Sequence, residues 1–210
     1  MLKDISNELK AHAPFTAFGA LTGIGIMAVI VYVQVPRSAS STLFWTLHPM
    51  HVLLSALVTA AMYRLHGKGG LGGTVLVGYV GAIGIATLSD SIIPYFGEYL
   101  LGLPNKGIHL GFIEKWWLVN PLALVGIAVA WFYPKTKTPH AGHVLLSTWA
   151  SLFHMTMALG ADVGLATMGI ITVFLFLAVW VPCCTSDIVF PLLFSKGHIE
   201  LVARENSQGS

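Results

Sequence analysis

Long apolar stretches separated by short polar connections dominate the chain. Six of these stretches are candidate membrane spans by their length, and they cover residues 14–35, 43–63, 75–95, 118–133, 142–160 and 167–194. A helix needs about 20 apolar residues to cross the hydrocarbon core of a bilayer. The pattern therefore predicts an all-α polytopic membrane protein with six transmembrane helices.

Three polar segments complete the predicted organisation. We expect residues 1–13 to form a cytoplasmic lead-in, 97–116 an extracytoplasmic connection and 195–210 a cytoplasmic tail. Trp116 and Trp117 stand at the end of the connection. Tryptophans are enriched at the membrane–water interface, which fits this placement.

The second and fifth stretches share an eight-residue pattern, H-x-x-H-V-L-L-S. It runs from His48 to Ser55 in the second stretch and from His140 to Ser147 in the fifth, with six of the eight positions identical. Leucine, valine and serine are common in membrane helices, but paired histidines are not. We therefore interpret the match as an internal duplication.

A second shared pattern, S-D-x-x-x-P, supports the duplication. It surrounds Asp90 at the end of the third stretch and Asp187 at the end of the sixth. The repeat units are thus residues 14–96 and 117–194, with three helices each. Because three is odd, the second unit enters the membrane in the opposite orientation to the first. Inverted repeats of this kind are typical of transporters, with a substrate site near the midplane.

The distribution of basic residues predicts the orientation, because cytoplasmic loops carry an excess of lysine and arginine. Eight basic residues fall on one side of the predicted membrane and three on the other. The eight are Lys3, Lys10, Arg64, Lys68, Lys135, Lys137, Lys196 and Arg204, and the three are Arg37, Lys106 and Lys115. We expect both termini to lie in the cytoplasm, with the protein in the inner (plasma) membrane of the cell.

Composition agrees with a lipid-facing surface. Of the 210 residues, 55% are hydrophobic and 10% are charged, whereas a soluble domain carries about 25% charged residues. The formal net charge is +2, with basic residues spread along the chain, which argues against a nucleic-acid partner. The partners we expect are the lipid bilayer, a small ion or solute and, in a homo-oligomer, further copies of the chain.

Ionisable residues deep in the spans are the candidates for function. His51 lies eight residues into its stretch, which is about 12 Å at 1.5 Å per residue. A charged residue at such depth costs about 2.5–3.5 kcal/mol on insertion scales. The candidate ion-binding residues are His51, Asp90, His143, Asp187, Ser55 and Ser147. Inversion predicts two polar clusters, one toward each face of the membrane. The first contains His48, His51 and Asp90, and the second contains His140, His143 and Asp187. The alternative is that the aspartates accept backbone hydrogen bonds at helix breaks before Pro94 and Pro191.

Histidines three residues apart lie on one face of a helix, and with a carboxylate they suit zinc or iron. The candidate metal ligands are His48, His51, Asp90, His140, His143, Asp187 and His154, of which only His154 lies outside the two repeated patterns. A water, Glu98 or Glu114 could complete the outer site. Cys183 and Cys184 precede Asp187 by about one turn and could add a thiolate to the inner site. The alternative is that each histidine only donates to a backbone carbonyl or acts as a pH-sensitive group. We assign no role to His109, which lies outside the spans.

Three functions fit these residues. The first is a small secondary transporter or channel for a cation, including a divalent metal. The second is an intramembrane metal-dependent hydrolase that uses His48, His51, His154 and Asp90. The third is a b-type haem cytochrome with axial ligands drawn from His51, His66, His140 and His154. The inverted repeat favours transport over an enzyme, while both alternatives and the identity of any cofactor stay open.

Overall fold

The computed structural model describes residues 2–66, 70–134, 137–160 and 163–184, together with positions 190, 191 and 194. Within these ranges the side chains of residues 2–12, 66, 137–141 and 184 are outside the description. Every regular element in the described part of the chain is a helix, as the apolar pattern predicts.

Eight α-helices and one π-helical turn follow each other along the described chain. They are α1 (Leu2–Val33), α2 (Arg37–His66), α3 (Leu71–Thr87), the π turn (Leu88–Ile92), α4 (Ile93–Leu100), α5 (Gly111–Glu114), α6 (Trp116–Phe132), α7 (Lys137–Ala158) and α8 (Leu165–Cys184). The segments α3, π turn and α4 are continuous, so they form a single helical run that is longer than the predicted third span.

Among the described residues, four helical segments are long and apolar enough to cross a membrane. They are Ala13–Val33, Arg37–Leu65, Leu71–Leu100 and Leu165–Cys183. The apolar segment Trp116–Phe132 is shorter. These long apolar helices are compatible with a membrane protein. The count of six spans and the inverted repeat stay predictions.

Large apolar side chains cover much of the outer surface, while several ionisable side chains are buried. Large apolar residues such as Leu21 and Val173 point outward and are 67% and 61% exposed. His51, Asp90 and His143, in contrast, are completely buried. Apolar surface on this scale would associate in water, whereas lipid solvates it. The candidates for function are therefore the buried ionisable side chains.

α2 is the central helix of the bundle. It packs against α3, α6 and α7. α1 packs against α7 and α8, whereas α6 packs against α2 and α3. Each of these two outer helices thus contacts helices from the other predicted repeat unit.

Small residues let α6 approach α2 closely. The core between α2, α3 and α6 is rich in alanine, including Ala56, Ala60 and Ala123. Gly126 of α6 has no room for a side chain, because an added Cβ would lie 2.3 Å from the backbone oxygen of Leu53. Small residues at such contacts are a common feature of membrane helix packing.

Pro94 gives a physical reason for the π turn. Proline has no N–H, and its ring clashes with the carbonyl group four residues earlier, which here belongs to Asp90. The helix widens at this point, and the N–H of Ile93 donates to the carbonyl oxygen of Leu88, five residues back. π turns are frequent at functional sites. This one presents Ser89, Asp90 and Ser91 to the interior.

The close contact at Gly126 predicts a specific sensitivity. Gly126→Ala should lower the free energy of unfolding by about 1–3 kcal/mol, because overpacking a tight contact forces the helices apart. Gly84→Ala is the matched control, since no atom lies within 4 Å of the added Cβ. Unfolding of both variants by SDS in mixed micelles, followed by circular dichroism, measures the difference. Equal stability of the two variants would contradict the packing of α6 on α2.

Candidate functional site

The carboxylate of Asp90 lies in the π turn and is completely buried. Its Oδ2 accepts hydrogen bonds from Nδ1 of His48 at 2.9 Å and Nδ1 of His51 at 2.7 Å. Its Oδ1 accepts from Oγ of Ser89 at 2.7 Å and Oγ of Ser147 at 2.8 Å. We call these five residues the Asp90 cluster. All of its described bonds join side chains, which differs from the alternative of an aspartate that accepts backbone bonds at a helix break.

Asp90 determines the tautomer of both histidines. An ionised carboxylate only accepts hydrogen bonds, so His48 and His51 each donate Nδ1–H, and Nε2 carries the lone pair in the neutral ring. Nε2 of His51 is buried and has no hydrogen-bond partner among the described residues. An unsatisfied buried polar atom costs about 1–3 kcal/mol. This nitrogen is therefore a strong candidate for binding a ligand.

His143 of α7 and Cys183 of α8 lie next to His51. The rings of His51 and His143 stack with centroids 5.6 Å apart and an angle of 17° between their planes. His51, His143 and Cys183 each offer one ligand atom, and these atoms all lie within 4.8 Å of one another. Sγ of Cys183 also donates to Oγ of Ser147 at 3.6 Å, which connects the thiol to the Asp90 cluster.

The position of His143 differs from the sequence prediction. We expected it in a separate cluster toward the opposite face of the membrane, but the structure places its ring against His51. The reason is that α2 and α7 pack directly against each other, with both histidines on the facing sides.

Of three other predicted site residues, only the side chain of Ser55 is described. The side chain of His140 and the whole of Asp187 are outside the described residues, so their roles stay predictions. Ser55 is buried, and its hydroxyl has no hydrogen-bond partner in the described part of the chain.

His154 and Glu98 form a second buried polar pair. Nδ1 of His154 lies 2.7 Å from Oε1 of Glu98, and both side chains are at most 1% exposed. The backbone N–H of Gly107 donates to the other Glu98 oxygen at 3.1 Å. Nε2 of His154 lies 3.5 Å from Oγ of Ser91. The sequence grouped His154 with His51 and Asp90, whereas the structure places it beside Ser91, one residue further along the chain.

His109 extends this second pair toward the surface, a role that the sequence analysis missed. Its ring centroid lies 5.2 Å from that of His154, and its backbone N–H donates to Ser91 Oγ at 3.0 Å. Its Nδ1 lies 3.4 Å from a carboxylate oxygen of Glu114, which is 41% exposed. The sequence offered Glu98 as a group that could complete the outer site, and the structure pairs it with His154. His109 lies in the loop between α4 and α5, where no repeated pattern or helical spacing marks it.

No family model, curated protein or solved structure matches this chain. Function must therefore be inferred from the site itself. The site combines a buried carboxylate with two imidazoles and a thiol whose ligand atoms lie within 4.8 Å of one another. Carboxylate, imidazole and thiolate are the protein groups that bind transition-metal cations. The arrangement is suited to holding a cation inside the bundle.

Proposed function

We propose that the protein is a small secondary transporter or channel for a cation in the inner (plasma) membrane. The observation that carries this proposal is the completely buried carboxylate of Asp90, surrounded by side chains from α2, the π turn and α7. Ionisable residues inside membrane segments are rare and mark ion pathways. A buried ionic group is often replaceable by apolar residues without loss of stability, so its presence points to a task other than folding.

The proposal includes two inverted three-helix repeats, residues 14–96 and 117–194. Superposing the first repeat unit on the second would place α1 on α6, α2 on α7 and α3 on α8. The contacts of α1 with α7 and α8 then correspond to those of α6 with α2 and α3. His51 and His143 occupy equivalent positions in the H-x-x-H pattern, and they stack on each other. Contact between equivalent residues is expected beside a two-fold axis, so the packing supports the repeat.

α6 and α7 supply the remaining two of the six proposed spans. α6 has 17 residues and α7 has 22, which gives lengths of about 25 and 33 Å. α7 is less apolar than α3, α6 and α8, but its polar residues Ser147, Ser151 and His154 are buried. Polar side chains are tolerated in a membrane helix when they face the interior of a bundle.

A metal-dependent hydrolase is the second candidate, and the pair of His154 and Glu98 favours it. Imidazole and carboxylate groups are common general acids and bases, and His154 lies outside the repeated pattern. A hydrolase, however, needs a cleft that admits its substrate. His48, His51, His154 and Asp90 are at most 1% exposed. This burial favours an ion over a larger substrate.

A haem cytochrome receives less support from the packing. His51 is completely buried, and its Nδ1 lies 2.7 Å from Oδ2 of Asp90. Nδ1 of His154 is 2.7 Å from Glu98. These contacts favour a compact ion site over a macrocycle.

Transport predicts that the charge of Asp90 is indispensable. Asp90→Asn keeps the size of the side chain but removes its charge, so cation flux into proteoliposomes should fall to the level of protein-free vesicles. Glu114→Gln makes the same chemical change at a carboxylate that is 41% exposed, and it should retain flux. Zinc, iron(II), sodium and protons are tested in turn with fluorescent indicators.

Full flux through Asp90→Asn would contradict the role of Asp90 in ion handling. A wild-type protein that moves none of the four cations but hydrolyses a lipid would favour the hydrolase. A Soret band in the absorbance spectrum of the same preparation would favour the cytochrome.

The proposed orientation has both termini in the cytoplasm and residues 97–116 outside. In a background with Cys183→Ser and Cys184→Ser, Lys106→Cys should react with a membrane-impermeant maleimide on intact cells. His66→Cys and Thr136→Cys should react only after the cells are opened. Labelling of position 66 or 136 in intact cells would reverse the orientation.

A further inference from the structure

Three side chains from three different helices converge beside the Asp90 cluster. They are His51 of α2, His143 of α7 and Cys183 of α8, each at most 1% exposed. Their ligand atoms lie within 4.8 Å of one another. Ligands of a tetrahedral zinc ion, at 2.0–2.3 Å from the metal, are about 3.3–3.8 Å apart. Small side-chain rotations therefore suffice to bring all three onto a single ion.

His51 is already oriented as a metal ligand. Its Nδ1 is 2.7 Å from Oδ2 of Asp90, so the lone pair is on Nε2, which has no hydrogen-bond partner among the described residues. Histidines that bind metals commonly donate their other N–H to a carboxylate, which sets the ring orientation and makes the ligand more basic. Asp90 has this relation to His51.

Cys183 is connected to the same carboxylate through a serine. Sγ of Cys183 donates to Oγ of Ser147 at 3.6 Å, and Ser147 donates to Oδ1 of Asp90 at 2.8 Å. A thiol that binds a metal loses its proton, so a divalent ion would meet one thiolate and one nearby carboxylate. Their two negative charges balance the charge of the ion in a site from which water is excluded.

We infer that His51 Nε2, an imidazole nitrogen of His143 and Sγ of Cys183 bind one zinc-class transition-metal ion, with Asp90 as a positioning residue. Two imidazoles and a thiolate select zinc, copper or iron over magnesium and calcium, which require oxygen ligands. One part of the inference rests on the proposed function, namely that this ion is the transported cation. The binding site itself requires only the three ligands.

Cobalt(II) tests the site in the purified full-length chain, because it substitutes for zinc and a thiolate ligand gives it a charge-transfer absorption band in the near ultraviolet. Wild-type protein should bind one cobalt ion with this band, and zinc should displace it. Cys183→Ser should lose the band. Cys184→Ser, which makes the same change at the adjacent residue, should keep it.

The histidine and aspartate variants separate ligands from the positioning residue. His51→Ala and His143→Ala should abolish stoichiometric binding, whereas His109→Ala should bind as wild type. Asp90→Asn should keep the thiolate band but weaken cobalt binding by about 10–100-fold, the usual effect of losing a partner that orients a ligand. Gel filtration identifies any variant that fails to fold.

Two results would overturn the metal site. They are absence of the thiolate band from wild-type protein at saturating cobalt, and a band that survives Cys183→Ser. Cation flux that persists in His51→Ala after the band is lost would keep the metal site but reject this ion as the transported cation. A thiolate band in a protein that moves no cation would keep the site and reject transport.

Discussion

A carboxylate that is shielded from water must receive hydrogen bonds from the protein, and the interior of this bundle depends on that requirement at Asp90. Its two oxygens accept from His48, His51, Ser89 and Ser147. Hydrogen bonds to an ionised group are about twice as strong as neutral ones. Loss of the carboxylate would leave two buried imidazole donors without an acceptor. The positions of α2, the π turn and α7 are therefore coupled through one side chain.

The same contacts explain why the histidines adopt their positions. Nδ1 of His51 donates to Asp90, so the lone pair of the neutral ring is on Nε2. One ligand atom each of His51, His143 and Cys183 lies within 4.8 Å of the other two. Ser147 holds the other oxygen and also contacts the thiol. The Asp90 carboxylate thus holds the helices together and also helps to position the potential metal ligands. The second pair, His154 and Glu98, is connected through Ser91, the residue after Asp90.

Sequence patterns predicted the helices and the meeting of His48, His51 and Asp90. Apolar length defines membrane helices well, and a spacing of three residues places two side chains on one helical face. Paired histidines and an aspartate inside apolar stretches must find partners there, because lipid offers none.

The arrangement of the helices could not be predicted in the same way. Lipid-facing and core-facing residues of a membrane helix are both apolar, so hydropathy does not show which face meets which neighbour. The stacking of His143 on His51 depends on that choice, and so does the pairing of Glu98 with His154. The π turn follows from Pro94, because its ring clashes with the carbonyl group of Asp90. That clash arises only when both residues lie in one continuous helix, and the sequence alone does not show this continuity.

Asp90 joins the two halves of the bundle through a hydrogen bond from Ser147, and a double-mutant cycle measures this coupling. Ser147→Ala, Asp90→Ala and the double variant are unfolded by SDS in mixed micelles. We predict a coupling free energy of about 0.5–3 kcal/mol between the two sites. Thr172, whose hydroxyl donates to Met168 within α8, provides the control, and Thr172→Ala should add to Asp90→Ala without coupling. Additivity of Ser147→Ala and Asp90→Ala within about 0.3 kcal/mol would show that this hydrogen bond does not couple the two halves.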